Sequence, residues 1–221
     1  MSDQPHDDLT RFQHPRFAKV YADVAADSDR RGGAEHRGRL LAGLRGSVVE
    51  IGAGNGLNFP HYPPEVTGVL AVEPDDTLRE LAERAAAAAP VPVRVVAGHA
   101  EQLPAGDASV EAAVASLVLC SVPDQDRALA EIRRVLVPGG QLRYYEHVRS
   151  GGVKGVLEDA VRPLWTRVAG GCHPNRRTGD AIRDAGFAVD EEDRFTWRAT
   201  RFGPAADHVI GRAHAPAGAA R

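Results

Sequence analysis

The short run Val48-Val49-Glu50-Ile51 passes directly into Gly52-Ala53-Gly54-Asn55-Gly56, and this junction limits what the chain can fold into. Four mostly apolar residues between Gly46 and Gly52 are too few for a helix and suit a buried strand. Three glycines in five residues then allow positive φ and let a second molecule approach the backbone closely. A further apolar run, Val69-Leu70-Ala71-Val72, ends at Glu73. In a chain that alternates strands with helices, such a turn falls at the carboxyl edge of the sheet, where open α/β folds bind ligands. Glu73 stands where a carboxylate accepts hydrogen bonds from ribose hydroxyls, so the pair implies a cofactor of adenosine type.

The rest of the chain supplies that alternation. Asp75 is placed to cap a helix that runs to Ala89 and is closed by Pro90. Residues 91–97, 110–116 and 141–147 read as the third, fourth and fifth strands. A helix over 123–137 carries Leu129, Ile132, Val135 and Leu136 on one face, and Pro138-Gly139-Gly140 breaks it. Upstream, Phe17, Val20, Tyr21 and Val24 recur at helical spacing within 12–26, as do Leu40, Leu41 and Leu44 within 30–44. These two helices precede the first strand and are expected to cap the cofactor cleft. Residues 151–171 mix glycines and Pro163 with apolar pieces, which suggests a mobile, partly helical cover. A helix over 176–185 and strands over 187–195 and 208–213 complete the pattern.

The prediction is a doubly wound, mostly parallel seven-stranded sheet with an antiparallel terminal strand at its edge. It forms one domain: cap helices over 1–45, a cofactor core over 46–148, cover and terminal strands over 149–214, and a disordered tail over 215–221. Residues 1–10 are polar and read as loose. A net charge of −3 without a basic block argues against nucleic acid as a partner. Arginine so outnumbers lysine (only Lys19 and Lys154) that a GC-rich bacterial source is expected. No apolar run approaches the ~20 residues of a membrane span, and no basic-then-apolar leader opens the chain, so a cytoplasmic location is expected. Cys120 and Cys172 make neither a disulfide framework nor a zinc quartet; both read as buried packing thiols, and no metal is expected.

Glycine spacing separates two cofactor classes. A dinucleotide fingerprint needs G-x-G-x-x-G, but here Leu57 occupies the third glycine position. The run E-I-G-A-G-N-G at 50–56 instead resembles the first motif of class I S-adenosylmethionine (SAM) methyltransferases. The likeness extends to G-H-A-E-Q-L-P at 98–104 and L-V-P-G-G at 136–140, and covers about residues 47–148. It implies a Rossmann-like fold, SAM as cofactor and S-adenosylhomocysteine as product. His99 stands where that family usually has an adenine-side acid, leaving His99, the backbone of Ala100, or Glu101 for the adenine. A narrower likeness lies in 116–122, 145–148, 170–173, Gly203-Pro204 and Ile210-Gly211. These segments resemble a branch that includes the microsomal alkyl-thiol methyltransferases of animals, and imply a small, fairly apolar acceptor, a thiol first. The animal enzymes carry an apolar N-terminal anchor that this chain lacks, so peripheral contact with a membrane is the most expected here.

The resemblance assigns cofactor contacts to Gly52, Ala53, Gly54, Gly56, Glu73, Pro74, Ser116 and Leu117. Asn55 and Asn58 suit the methionine carboxylate or ammonium, although Asn58 equally suits a turn cap. Glu50 reaches the amine through a water, and Tyr21 either closes over the cofactor or packs as core. The acceptor-side candidates are Glu146, His147 and His173. Strand alternation points Glu146 and His147 to opposite faces, and His147 is favoured as the base because imidazole titrates near neutrality. His173 equally suits a capping turn, and Cys120 suits packing. Three readings compete: carbon methylation of a quinone precursor, nitrogen methylation of a phospholipid head group, and a SAM-binding scaffold without catalysis. An NAD-dependent oxidoreductase is disfavoured by the glycine spacing and by Val148 and Arg149 standing four residues after Tyr144 and Tyr145.

Overall fold

The computed structural model describes residues 9–201 and 203–217. Seven strands form one sheet in the order β3-β2-β1-β4-β5-β7-β6. They are β1 (Gly46–Ile51), β2 (Val66–Val72), β3 (Val93–Val96), β4 (Val110–Ser116), β5 (Leu136–His147), β6 (Ala188–Trp197) and β7 (Ala206–His214). The first five pair in parallel, while β7 lies antiparallel between β5 and β6. The antiparallel strand is the terminal one, β7, as the sequence reading expects, and β7 with β6 forms this edge of the sheet. Chain reversal from β5 lets the last strand fill the slot beside it, and β6 takes the rim.

Alternate residues of the central strands feed two cores. Val48, Val69, Ala71 and Val114 pack under Leu40 and Leu41 of α2 (Ala34–Leu41) and Ala82 of α3 (Asp76–Ala86). On the other face, Val49, Ile51, Ala113 and Ala115 pack under Leu129, Ile132 and Val135 of α4 (Gln125–Val135). Ile182 of α6 (Thr178–Asp184) joins that second core. The period of two along a strand makes this division unavoidable once both faces are covered. Asp75 caps α3 by accepting the Leu78 N–H at 3.0 Å, as its position predicted.

Four details depart from the sequence reading. The first helix, α1 (Pro15–Ser28), buries Ala18 and Ala25 and leaves Val20 and Val24 exposed, so its inner face is rotated from the one expected; the Phe17 side chain lies outside the described residues. A wide turn at Asp29–Gly33, with Gly32 at φ 115°, separates α1 from α2. The mixed segment after β5 is one helix, α5 (Gly152–Val168), which continues through Pro163. Its exposed surface explains this: water can take the carbonyl that proline leaves unbonded. Finally, Ala215 is buried and donates its N–H to the Gly140 carbonyl at 2.9 Å, so the tail is tethered at its start. Residues 218–221, and residues 1–8 at the other end, lie outside the described residues.

The parallel order brings the ends of β1, β2, β4 and β5 to one edge. Gly52 begins the turn there at φ 63°, and a Cβ on it would stand 2.5 Å from Val118 Cγ2. Both the dihedral and the contact oppose a side chain. Gly52→Ala is expected to lower stability in urea unfolding by about 2 kcal/mol; unchanged stability would mean the turn relaxes freely.

Candidate active site

At the cofactor end, Glu73 closes β2 and is 4% exposed. Its Oε2 accepts the Gly54 N–H at 2.8 Å and its Oε1 accepts the Asp75 N–H at 2.9 Å. Burial raises its pKa to about 7, against the pull of those two N–H groups. Each oxygen keeps a second lone pair for a ligand hydroxyl. Tyr21 of α1 lies over the loop, with its ring 3.5 Å from where a Cβ on Gly54 would stand. Asn55 is half-buried at the turn tip, and Ala53 is buried with its N–H bonded to the Val72 carbonyl at 3.1 Å.

Glu50 and Asn58 belong to a buried polar chain rather than to an open cleft wall. Glu50 accepts from Asn58 Nδ2 at 2.9 Å and from the Tyr62 hydroxyl at 2.6 Å. Asn58 Oδ1 accepts from Arg37 at 2.9 Å, and Arg37 also pairs with Asp29 at 3.0 Å and reaches the Ser116 hydroxyl at 3.4 Å. Arg37 is the residue that the sequence reading missed. It precedes Leu40, Leu41 and Leu44 by three, four and seven positions, so it lies on the apolar face of its helix. A charge on that face was the available signal.

The adenine-side segment is closed by the chain's own N-terminus. His99 is buried and stacks on Phe12, with ring centroids 5.0 Å apart. Glu101 accepts from Arg11 at 2.9 Å and from the Asp124 N–H at 3.0 Å. Ala100 is buried beside them, and the Pro74 carbonyl accepts from Gln13 at 2.8 Å. Glu101 is thus occupied as a clamp, which leaves His99 and the backbone nearer to the role considered for adenine.

On the acceptor side, Leu117 turns the chain after β4 at φ 58°, an uncommon conformation for a branched side chain. Glu146 sustains that turn: its Oε1 accepts the N–H groups of Val118 and Leu119 at 3.1 and 2.9 Å, and its Oε2 accepts that of Cys120 at 3.0 Å. The carboxylate is fully buried and its pKa is raised by that burial, so it is committed to the backbone. Glu146 and His147 are consecutive in β5, and both meet the turn after β4, one through N–H groups and the other through sulfur.

His147 Nδ1 lies 3.8 Å from Cys120 Sγ and 3.8 Å from Cys172 Sγ, and the two sulfurs are 3.7 Å apart. The cysteines are buried and unbridged, as read, but they are not separate packing thiols. Burial opposes an imidazolium at His147, yet the Cys120 contact and nearby acids leave its pKa raised. The contact with Cys120 lowers the pKa of the Cys172 thiol, and the same contact raises that of Cys120. His173 is half-buried; its N–H donates to the Cys120 carbonyl at 2.8 Å, a bond between two loops, and burial lowers its imidazole pKa. His208, not singled out by the sequence, lies opposite His147 in the β5–β7 register, with ring centroids 4.5 Å apart. Burial, then the charge at His147, lowers its pKa to about 3.

The glycine loop and Glu73 suit a ribose, and Arg37 suits a carboxylate, so the donor set fits SAM. A surface groove of about 870 Å³ lies instead at the amino ends of the strands, with Arg94 as its only ionisable lining residue. It has no acid–base machinery.

The family described as a methyltransferase domain matches residues 49–144. Thiol S-methyltransferase TMT1B of Rattus norvegicus is 31% identical over 174 residues, covering 76% of this chain and 70% of that protein. This chain belongs to the class I SAM-dependent methyltransferases. Demethylmenaquinone methyltransferase of Thermobifida fusca is 38% identical over 96 residues, 43% of this chain and 41% of that one. A SAM-dependent methyltransferase structure from Thermotoga maritima shares the fold with a TM-score of 0.66 at 24% identity, covering 90% of this chain and 96% of its own. SAM is therefore the cofactor of this methyltransferase.

Glu50, whose burial raises its pKa to about 7, affects stability with a definite sign. The native state holds its proton at pH values where the unfolded chain has lost it, so stability falls as pH rises from about 4.5 to 7. Glu50→Gln keeps the hydrogen-bond shape without that titration. The fall in Tm between pH 5 and 7 is expected to be shallower in this variant, and an identical slope would show that Glu50 ionises normally.

Proposed function

We propose that this methyltransferase transfers the SAM methyl group to a small, fairly apolar thiol. The observation that carries the reading is the reach of the thiol relatives: 174 aligned residues extend well past the 49–144 core, whereas the quinone relative aligns over 96. Of the acceptor-side residues, Cys120 lies within that core, and His147 and Cys172 lie beyond it. The paired buried sulfurs of Cys120 and Cys172 beside His147 are also compatible with a soft, apolar acceptor.

When bound, SAM supplies an electrophilic methyl on a sulfonium. The chain's residues hold and orient. Glu73 accepts the ribose hydroxyls, Arg37 binds the methionine carboxylate, and Phe12 with His99 flanks the adenine. Tyr21 covers the loop and excludes water. Positioning of this kind is worth on the order of 7–11 kcal/mol for well-aligned partners. A thiol with a free pKa near ~8.5 needs only modest help to ionise, and the cluster of His147 with Cys120 and Cys172 is the part of the chain assigned that help. The apolar outer face of α5, with Val153, Val156, Leu157 and Leu164 exposed, suits peripheral contact with a lipid surface from which such acceptors partition. Among the described residues no helix is long and apolar enough to cross a membrane.

A panel of alkyl thiols, quinols, amines and phospholipids with labelled SAM tests the acceptor; thiols should be labelled fastest, and labelling of quinols or lipids alone would replace the reading. Calorimetry tests the cofactor residues. Glu73→Ala should weaken SAM binding at least about tenfold, since hydrogen bonds to a charged group contribute roughly 1.5–3 kcal/mol each. With a Glu73 pKa of about 7, wild-type affinity should fall between pH 8 and 6 as the acceptor protonates. An unchanged dissociation constant in either experiment removes Glu73 from the ribose. His147→Ala should lower turnover while SAM affinity stays near wild type, and full turnover would exclude it from the reaction.

A further inference from the structure

Three donor atoms of different segments converge at the acceptor side: Cys120 Sγ after β4, His147 Nδ1 at the end of β5, and Cys172 Sγ after α5, all within 4.8 Å of one another. A tetrahedral zinc ion, with Zn–S of about 2.3 Å and Zn–N of about 2.0–2.1 Å, holds its sulfurs about 3.8 Å apart and each sulfur about 3.6 Å from the nitrogen. The triangle here measures 3.7, 3.8 and 3.8 Å. We propose that Cys120, His147 and Cys172 bind a zinc-class divalent metal whose fourth position receives the acceptor thiolate.

The surroundings hold this triangle independently of any ion. Glu146 fixes the backbone at Cys120 through three N–H groups. The His173 N–H to Cys120 carbonyl bond joins the two cysteine-bearing loops at 2.8 Å. Gly171, at φ 83°, brings the second loop so close that a Cβ would lie 3.1 Å from the Ser121 carbonyl oxygen. Three protein ligands with one open vertex is the arrangement of catalytic rather than structural zinc. The triangle lies at the same edge of the sheet as the glycine turn, since Cys120 follows β4, His147 ends β5, and both strands run parallel to β1.

Two protein thiolates cancel the charge of a dication, so a third thiolate at the metal keeps the electron density of a nucleophile. The incoming thiol gives its proton to water as its sulfur binds. That sulfur then bonds to the methyl carbon while the carbon–sulfonium bond breaks, its electron pair remaining on the departing sulfur. The thioether formed is neutral and a weak ligand, so it leaves. This role for the fourth position rests on the thiol reading above; the metal site does not.

Cobalt(II) is the probe, because tetrahedral thiolate coordination gives visible d–d bands and near-ultraviolet charge transfer. The reduced protein, dialysed free of metal, should bind one cobalt or zinc per chain with those bands. Cys120→Ser and Cys172→Ser should each weaken binding by more than the ~10–100-fold typical of losing a supporting residue. SAM affinity, measured by calorimetry on each variant, is the folding control; Cys172→Ala in a variant that still binds SAM replaces any that fails it. Adding an alkyl thiol to the cobalt protein should change the charge-transfer band. No stoichiometric metal in the fully reduced protein, or equal binding by folded cysteine variants, overturns the site. Methylation of thiols at full rate by metal-free enzyme overturns the role of the fourth position. Metal binding with no thiol methylated supports the site and rejects the thiol reading instead.

Discussion

The hydrogen bond from the Gly54 N–H to the Glu73 carboxylate organises this molecule. It joins the turn after β1 to the end of β2 at 2.8 Å, with the carboxylate itself buried. A carboxylate so placed is costly unless donors surround it, and a turn so rich in glycine is loose unless something holds it. Each supplies what the other lacks. Tyr21 then has a fixed surface to cover, and the N-terminal segment has a fixed rim to clasp through Gln13 and Pro74.

The acceptor side repeats the device with another buried acid. Glu146 gathers three N–H groups of the turn after β4 and steadies Leu117 in an uncommon conformation. Two carboxylates, each from a strand end, thus shape the loops on neighbouring strands. Between them, Arg37 supplies positive charge to an interior that also holds Glu50. These acids act by shaping the backbone, and the chemistry is left to what the backbone presents. Cys120, His147 and Cys172 are presented in this way.

The parts legible in the sequence were those with local spacing. Strand rhythm, the glycine turn, Glu73 and the Asp75 cap are all set by residues a few positions apart. The site beyond them was less legible, for reasons of physics. Arg37 looks like any surface arginine until its place on the Leu40 face is noticed. Cys120 and Cys172 are 52 positions apart and meet only through a loop contact that no local pattern encodes. His208 becomes a neighbour of His147 through strand register alone. Glu146 was one acceptor-side candidate beside the favoured His147, and Glu101 one of three for the adenine; here nearby N–H groups and Arg11 claim both acids first. Pro163 and its neighbouring glycines suggested a broken cover, but an exposed helix tolerates one missing bond.

A crystal structure with S-adenosylhomocysteine soaked into the crystals tests the central claim most directly. The account predicts electron density along the glycine turn, with both ribose hydroxyls bonded to Glu73 and the sulfur directed toward the Cys120–His147–Cys172 side. Density elsewhere, or a ribose remote from Glu73, would contradict it.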